Sequence, residues 1–213
     1  IMEGRGIPAK GAFPGSFSYG NDAVETVSYD PEEAKKLLEE SGWTDTDGDG
    51  YVDKDGQKLT INWLTYPTRL EQPKLAEYAQ ATLKEIGIDV SVNNTSDHRT
   101  YAENGEFDVY VSSLTTAPTG DPEYFFSSTV TGSKNYGNYQ NDEVTKLTEQ
   151  LHQTFDTDER GKLAVELQQK ILDDDAYFFV SHLNMGIVTK ANVTGMAAHP
   201  CDYYEITADL DVQ

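Results

Sequence analysis

The sequence has one cysteine, Cys201, in 213 residues. A lone thiol excludes an intramolecular disulfide and any metal site built on two cysteines. Positive charge is also scarce, with 16 Lys and Arg against 37 Asp and Glu and a formal net charge of −21. A surface of that sign repels phosphate backbones, so nucleic acid is a poor partner. It gives an anionic membrane surface none of the Lys/Arg clusters that such a surface attracts. No apolar run approaches the ~18–20 residues of a membrane-spanning helix. Residues 1–6 have no apolar stretch of the kind found in a secretory signal. Catalytic signatures are missing as well: there is no Gly-x-Ser-x-Gly and no His-Glu-x-x-His, and Gly132-Ser133-Lys134 lacks the glycine that a phosphate loop places before it.

What is present is aromatic and periodic. Thirteen Tyr and eight Phe are spread along the chain, which suits a folded acidic domain better than a disordered acidic tail. Residues 1–28 read as a loop rich in Gly and Pro, with Phe13, Phe17 and Tyr19 available to pin it to a surface. Asp30-Pro31-Glu32-Glu33 then marks a helix start, with Asp30 as N-cap and Pro31 in the first turn. Leu59, Ile61 and Trp63 alternate as a strand, residues 73–86 have helical spacing, and Ile88, Val90 and Val92 alternate again. Strand, helix, strand predicts a parallel crossover unit. Ser96 or Asp97 caps a short helix, and Phe107, Val109 and Val111 form a further strand. Asp121-Pro122, Asn141 and Thr157 each mark a helix start. Short strands are expected over 177–183, 187–189 and 203–207. The fold class is α/β.

Four features invite a chemical reading. Asp45, Asp47, Asp49 and Asp53 occupy positions 1, 3, 5 and 9 of a calcium-loop pattern with Gly50 at position 6, but position 12 is Gly56 instead of a carboxylate. The other reading of this stretch, and the favoured one, is a solvated Asp/Gly hairpin, so Ca²⁺ is not expected there. The histidines, His98, His152, His182 and His199, show no ligand spacing, and no residue is assigned as a metal ligand. Cys201 is followed by Asp202, which disfavours a thiolate. The most suggestive stretch follows the strand ending at Val111: Leu114, Thr115, Thr116, Ala117, Pro118, Thr119, Gly120 and Asp121. A loop leaving the carboxyl end of a parallel strand is where open α/β sheets bind ligands, and small hydroxyl residues there can bond a polar solute. An ordinary connecting loop is the alternative.

The run Tyr29-Asp30-Pro31-Glu32-Glu33-Ala34 through Ser41-Gly42-Trp43, followed by Asp47-Gly48-Asp49-Gly50, resembles the family 5 extracellular solute-binding proteins. Gly105-Glu106-Phe107-Asp108-Val109, Asp121-Pro122 and Asn135-Tyr136-Gly137-Asn138-Tyr139 continue the resemblance in order. It implies the C-terminal lobe of a two-lobed periplasmic-binding-protein-like (class II) fold, with a mixed sheet flanked by helices. Residues 1–28 would enter from a missing N-terminal lobe, and 29–213 would form a single α/β lobe. Thr116-Ala117-Pro118-Thr119-Gly120-Asp121-Pro122 is most similar to the nickel-type branch. It lacks that branch's flanking aromatics, and residues 130–134 lack its histidine.

The resemblance implies a non-enzymatic, substrate-binding component of an ABC importer. Such a protein is extracytoplasmic, either periplasmic or a cell-surface lipoprotein, and works with ABC transporter permease subunits. Its small-molecule solute would be nickel held as a chelate, or alternatively a di- or oligopeptide. A repurposed receptor, a metal-dependent hydrolase and a calcium-binding module are the competing readings.

Overall fold

Residues 1–198 and 206–213 are described by a computed structural model. His199, Cys201 and most of the strand expected over 203–207 lie outside the described residues. In chain order the elements are β1 (Gly6–Pro8), α1 (Pro31–Glu40), β2 (Asp53–Lys54), β3 (Gln57–Lys58), β4 (Thr60–Thr65), α2 (Glu71–Lys84), β5 (Asp89–Asn94) and α3 (His98–Glu103). They continue with β6 (Val109–Tyr110), α4 (Glu123–Phe125), α5 (Asp142–Gln153), α6 (Thr157–Asp173), β7 (Ser181–Leu183), β8 (Val193–Thr194) and β9 (Asp211–Val212). The chain packs as two units, one holding Ile1 with Val27–Ser113, the other Met2–Thr26 with Leu114–Gln213.

The first unit contains the expected crossover. β4 and β5 pair in parallel from Thr60↔Asp89 to Thr65↔Asn94, and β6 joins the other edge of β4 in parallel at Trp63↔Val109. β4 is therefore the central strand, and α2 packs on β4 and β5. Leu64, Thr65 and Tyr66 are all buried, so the alternation read from Leu59, Ile61 and Trp63 gives way to burial on both faces at the carboxyl end. Gly87 links α2 to β5 at φ +80, where a Cβ would lie 2.9 Å from the Val52 side chain and 3.2 Å from its amide nitrogen. That left-handed turn and close approach require glycine. Asp30 caps α1 as expected, accepting from the amides of Glu32 and Glu33 at 3.2 and 3.0 Å. No residue of α1 is fully buried.

The second unit is built on α5, α6 and an aromatic cluster. Asn141 caps α5 through the amides of Glu143 and Val144. α6 starts one residue earlier than the spacing suggests: Asp156, not Thr157, is the cap, accepting from Asp158 and Glu159 at 3.1 and 3.0 Å. A carboxylate accepts two amides at once, and Thr157 becomes the first helical residue. Val144, Leu151, Ala164, Leu167 and Ile171 are fully buried between these helices and Phe13, Phe125 and Phe126. Phe13 meets Tyr19, Phe125 and Phe126 edge-on at 5.0, 6.0 and 5.9 Å, each geometry contributing roughly 0.5–1.5 kcal/mol beyond burial.

Residues 2–26 are thus part of this core. β1 pairs antiparallel with β7, Ile7 opposite His182, so strand structure reaches into the stretch read as loop. Gly20 sits where a Cβ would overlap the Pro14 carbonyl. Three local expectations differ. The strand expected over 177–183 is confined to β7, and residues 187–189 form no strand. Asp121-Pro122 opens only the three-residue α4, which runs into a π-helical turn, Phe126–Val130. The parallel and antiparallel pairings lie in separate sheets.

Candidate functional site

Residues 114–121 fall in the second unit, where side chains from distant parts of the sequence hold them. The Thr116 hydroxyl donates to the Ala12 carbonyl at 2.9 Å. Ala117 is buried in the aromatic core, and its carbonyl accepts from the Gly120 amide at 3.0 Å. The Tyr19 hydroxyl donates to the Gly120 carbonyl at 2.6 Å. Burial, with the Asp121 charge adding to it, pushes the Tyr19 phenol up to about 12, so it stays a neutral donor. Along this stretch Leu114, Thr119 and Gly120 are exposed, while Thr115 and Pro118 are half-buried. The loop is therefore pinned at Thr116, Ala117 and the Gly120 carbonyl and open at Leu114 and Thr119.

The end of the loop is charged. Asp121 accepts both a backbone bond from Glu123 at 2.8 Å and a two-pronged ion pair from Arg160, at 2.9 and 2.6 Å. Glu123 joins through Arg160 at 2.9 Å and His152 at 2.6 Å. Burial raises the Glu123 carboxyl, but the bonds from Arg160 and His152 outweigh it and hold the group below its ordinary value. With Phe155 and Thr157 these side chains line an open groove of about 440 Å³. The helix start marked by Asp121-Pro122 is only the three-residue α4, and Asp121 occupies the Glu123 amide. Arg160 is invisible to local pattern, being 39 residues from Asp121, and its only sequence signal is being one of four arginines in so acidic a chain.

The aspartate-rich turn is organised by its own amides. Asp45 accepts from Gly48 and Gly50, Asp47 from Asp49, and Asp49 from Tyr51, at 2.7 to 3.1 Å. Asp53 is turned to the Thr46 amide and hydroxyl, whose bonds lower its pKa. Oxygen atoms of Asp45, Asp47 and Asp49 lie within 4.8 Å of one another and are exposed. Among the described residues this is the one group of three possible metal ligands, and it does not include Asp53.

A second polar cluster, missed in the sequence, lies at the carboxyl end of the parallel sheet in the first unit. His98 stacks on Tyr66 at 4.1 Å, and its Nδ1 is 2.6 Å from the Tyr110 hydroxyl. Gln72, almost fully buried, donates to the Ser113 hydroxyl at 2.9 Å, and the Ser113 amide donates to the Tyr66 hydroxyl at 3.1 Å. Burial, then the nearby Arg99, lowers the His98 pKa. These residues stand 12 to 47 positions apart in pairs, so no motif announces them.

Comparison with known proteins gives one family. The profile of the bacterial extracellular solute-binding proteins, family 5 Middle, matches residues 1–137. The oligopeptide-binding protein AppA of Bacillus subtilis is 32% identical over 201 residues, 91% of this chain and 37% of the relative. Its structure in complex with a nonapeptide superposes with a TM-score of 0.77 over 93% of this chain and 41% of that one, at 27% identity. The nickel-binding periplasmic protein of Escherichia coli is 28% identical over 197 residues, 88% of this chain and 37% of the relative. The structure of Staphylococcus aureus NikA in complex with Ni(L-His)2 shares the fold, with a TM-score of 0.79 at 24% identity, covering all of this chain and 44% of that one. The chain therefore spans well under half the length of the relatives it matches. Among the described residues no helix is long and apolar enough to cross a membrane.

Proposed function

Because this chain belongs to the family 5 bacterial extracellular solute-binding proteins, we propose that it supplies one lobe of the substrate-binding component of an ABC importer. The family is one of extracytoplasmic transport binding proteins, not of enzymes. On this reading a solute is held between this lobe and the rest of the parent protein, and permease subunits receive it. The parent would be periplasmic or lipid-anchored at the cell surface.

The observation that carries the reading is the 114–121 loop: anchored at Thr116, Ala117 and Gly120, and exposed at Leu114 and Thr119. A rigid backbone with a free crest binds without the entropic cost of ordering a mobile loop. The preferred solute is nickel as a small chelate. The loop offers hydroxyl and apolar groups but no imidazole, and its one carboxylate is committed to Arg160. The metal's ligands would then come from the chelator, and the protein would contact the chelate's surface. The likeness to the nickel-binding relatives supports this. A peptide solute is the second reading, favoured by the 32% identity to AppA.

Isothermal titration of the full-length protein separates the two. The expected result is saturable one-to-one binding of nickel(II) with L-histidine and weaker binding of nickel(II) alone. Binding of a nonapeptide with no response to nickel would select the second reading, and a response to neither would reject both.

A further inference from the structure

We propose that Arg160 is the positioning residue of the 114–121 loop: a side chain that does not meet the solute and yet fixes the shape in which the loop meets it. This rests on the reading of that loop as a solute contact.

A guanidinium has five N–H donors, and in Arg160 each has a protein acceptor. Nε donates to Asp121 Oδ2 at 2.9 Å, and Nη2 donates to Asp121 Oδ1 at 2.6 Å and Glu123 Oε2 at 2.9 Å. Nη1 donates to the carbonyls of Leu151 and Thr154, both at 2.6 Å. No donor remains for a solute, so a direct binding role is excluded by valence. The bonds instead join three things: the last residue of the loop, the short turn after it, and the carboxyl end of α5. Arg160 belongs to the first turn of α6 and is itself mostly buried, with 13% of its side chain exposed.

The mechanical consequence is direct. α5 and α6 supply Val144, Leu151, Ala164, Leu167 and Ile171 to the fully buried core and are both capped, so they are the firm frame of this unit. Arg160 ties Asp121 to that frame, while Tyr19 holds Gly120 and the Thr116 hydroxyl holds to Ala12. Without the guanidinium, Asp121 and Glu123 become neighbouring carboxylates that repel, and the carbonyls of Leu151 and Thr154 lose their charged donor. Lysine is no substitute. Its three donors radiate from one atom and cannot span two carboxylates and two carbonyls.

Two readouts on the full-length protein test this: amide hydrogen exchange, and titration with nickel(II)–L-histidine and with a nonapeptide. In Arg160→Lys and Arg160→Gln, exchange at Gly120 and Glu123 should accelerate by roughly tenfold or more, while Leu167, Gln168 and Ile171 in α6 keep wild-type protection. The Kd for whichever probe binds should rise by roughly tenfold, mainly through koff. Combining Arg160→Gln with Asp121→Asn should cost no more than the larger single effect, since the Arg160–Asp121 fork that Asp121→Asn weakens is already lost with the guanidinium. If the arginine variants fail to fold, Asp121→Asn carries the test through exchange at Gly120, whose amide bonds Ala117 and not Asp121. Unchanged exchange would overturn the proposal, as would faster exchange with an unchanged Kd, which would make Arg160 a fold residue only. If the wild-type protein binds neither probe, the solute reading of the loop falls, and the hold of Arg160 on the loop is decided by exchange alone.

Discussion

Gln168 is a polar side chain with no exposed surface, and each of its hydrogen-bonding groups is used. Its amide donates to the Tyr19 and Ala164 carbonyls at 2.8 and 3.1 Å, and its carbonyl accepts from the Ala12 amide at 3.0 Å. It therefore pins the segment before the first helix to α6. Gln168→Leu leaves the Ala12 amide and the Tyr19 carbonyl buried without partners, and should cost about 1–3 kcal/mol in urea unfolding. The two half-buried imidazoles give a second expectation. Burial lowers the pKa of His98 and His182 below 6.5, and His182 Nε2 is enclosed without a hydrogen-bond partner. The unfolded chain then takes the proton first, so their contribution is complete above 6.5 and declines as pH falls below it. The urea midpoint should drop between about pH 7.5 and 5.5, and His182→Phe should reduce that drop. An identical drop in the variant would rule His182 out as its source. Gln168 does not stand out in the sequence, because the backbone groups it ties to α6 are far away: it is 149 positions from Tyr19.

Helices and the parallel crossover were legible because their signals are local. Asp30-Pro31 and Asn141 cap helices as read, and the strand–helix–strand spacing gave the β4–β5 pair. The α6 cap shows where local reading slips. Both Asp156 and Thr157 suit the position, and only the backbone angles decide between them. Asp156→Ala should cost about 1 kcal/mol and Thr157→Ala only a few tenths, measured by thermal or urea unfolding. Gly87→Ala should be worse tolerated than an ordinary glycine exchange, because the left-handed turn adds strain of order 1 kcal/mol to the clash with Val52. The pairing of β1 with β7 was not legible. It joins residues more than 170 positions apart, and β1 is only Gly6–Pro8, too short and too rich in Gly and Pro to read as a strand. The π-helical turn was hidden for a different reason: Asp121-Pro122 is a sound helix start, and nothing in the local pattern marks the widened turn that buries Phe126, Thr129 and Val130.

At the scale of the whole molecule the order of the family segments read in the sequence agrees with the profile match, which places the chain among the family 5 bacterial extracellular solute-binding proteins. Composition alone stops at an acidic α/β chain. The candidate loop was found as a stretch of sequence, since it leaves a strand of a parallel sheet. Its anchors were not, because Tyr19, Ala12 and Arg160 come from elsewhere. The central claim is that the exposed crest of this loop touches the solute. Titration of nickel(II)–L-histidine into the full-length protein and its Thr119→Arg variant tests it directly. Thr119 is exposed and outside the anchoring bonds, so the melting temperature should be unchanged while the Kd rises by roughly tenfold or more. A Kd equal to that of the wild-type protein would contradict the account.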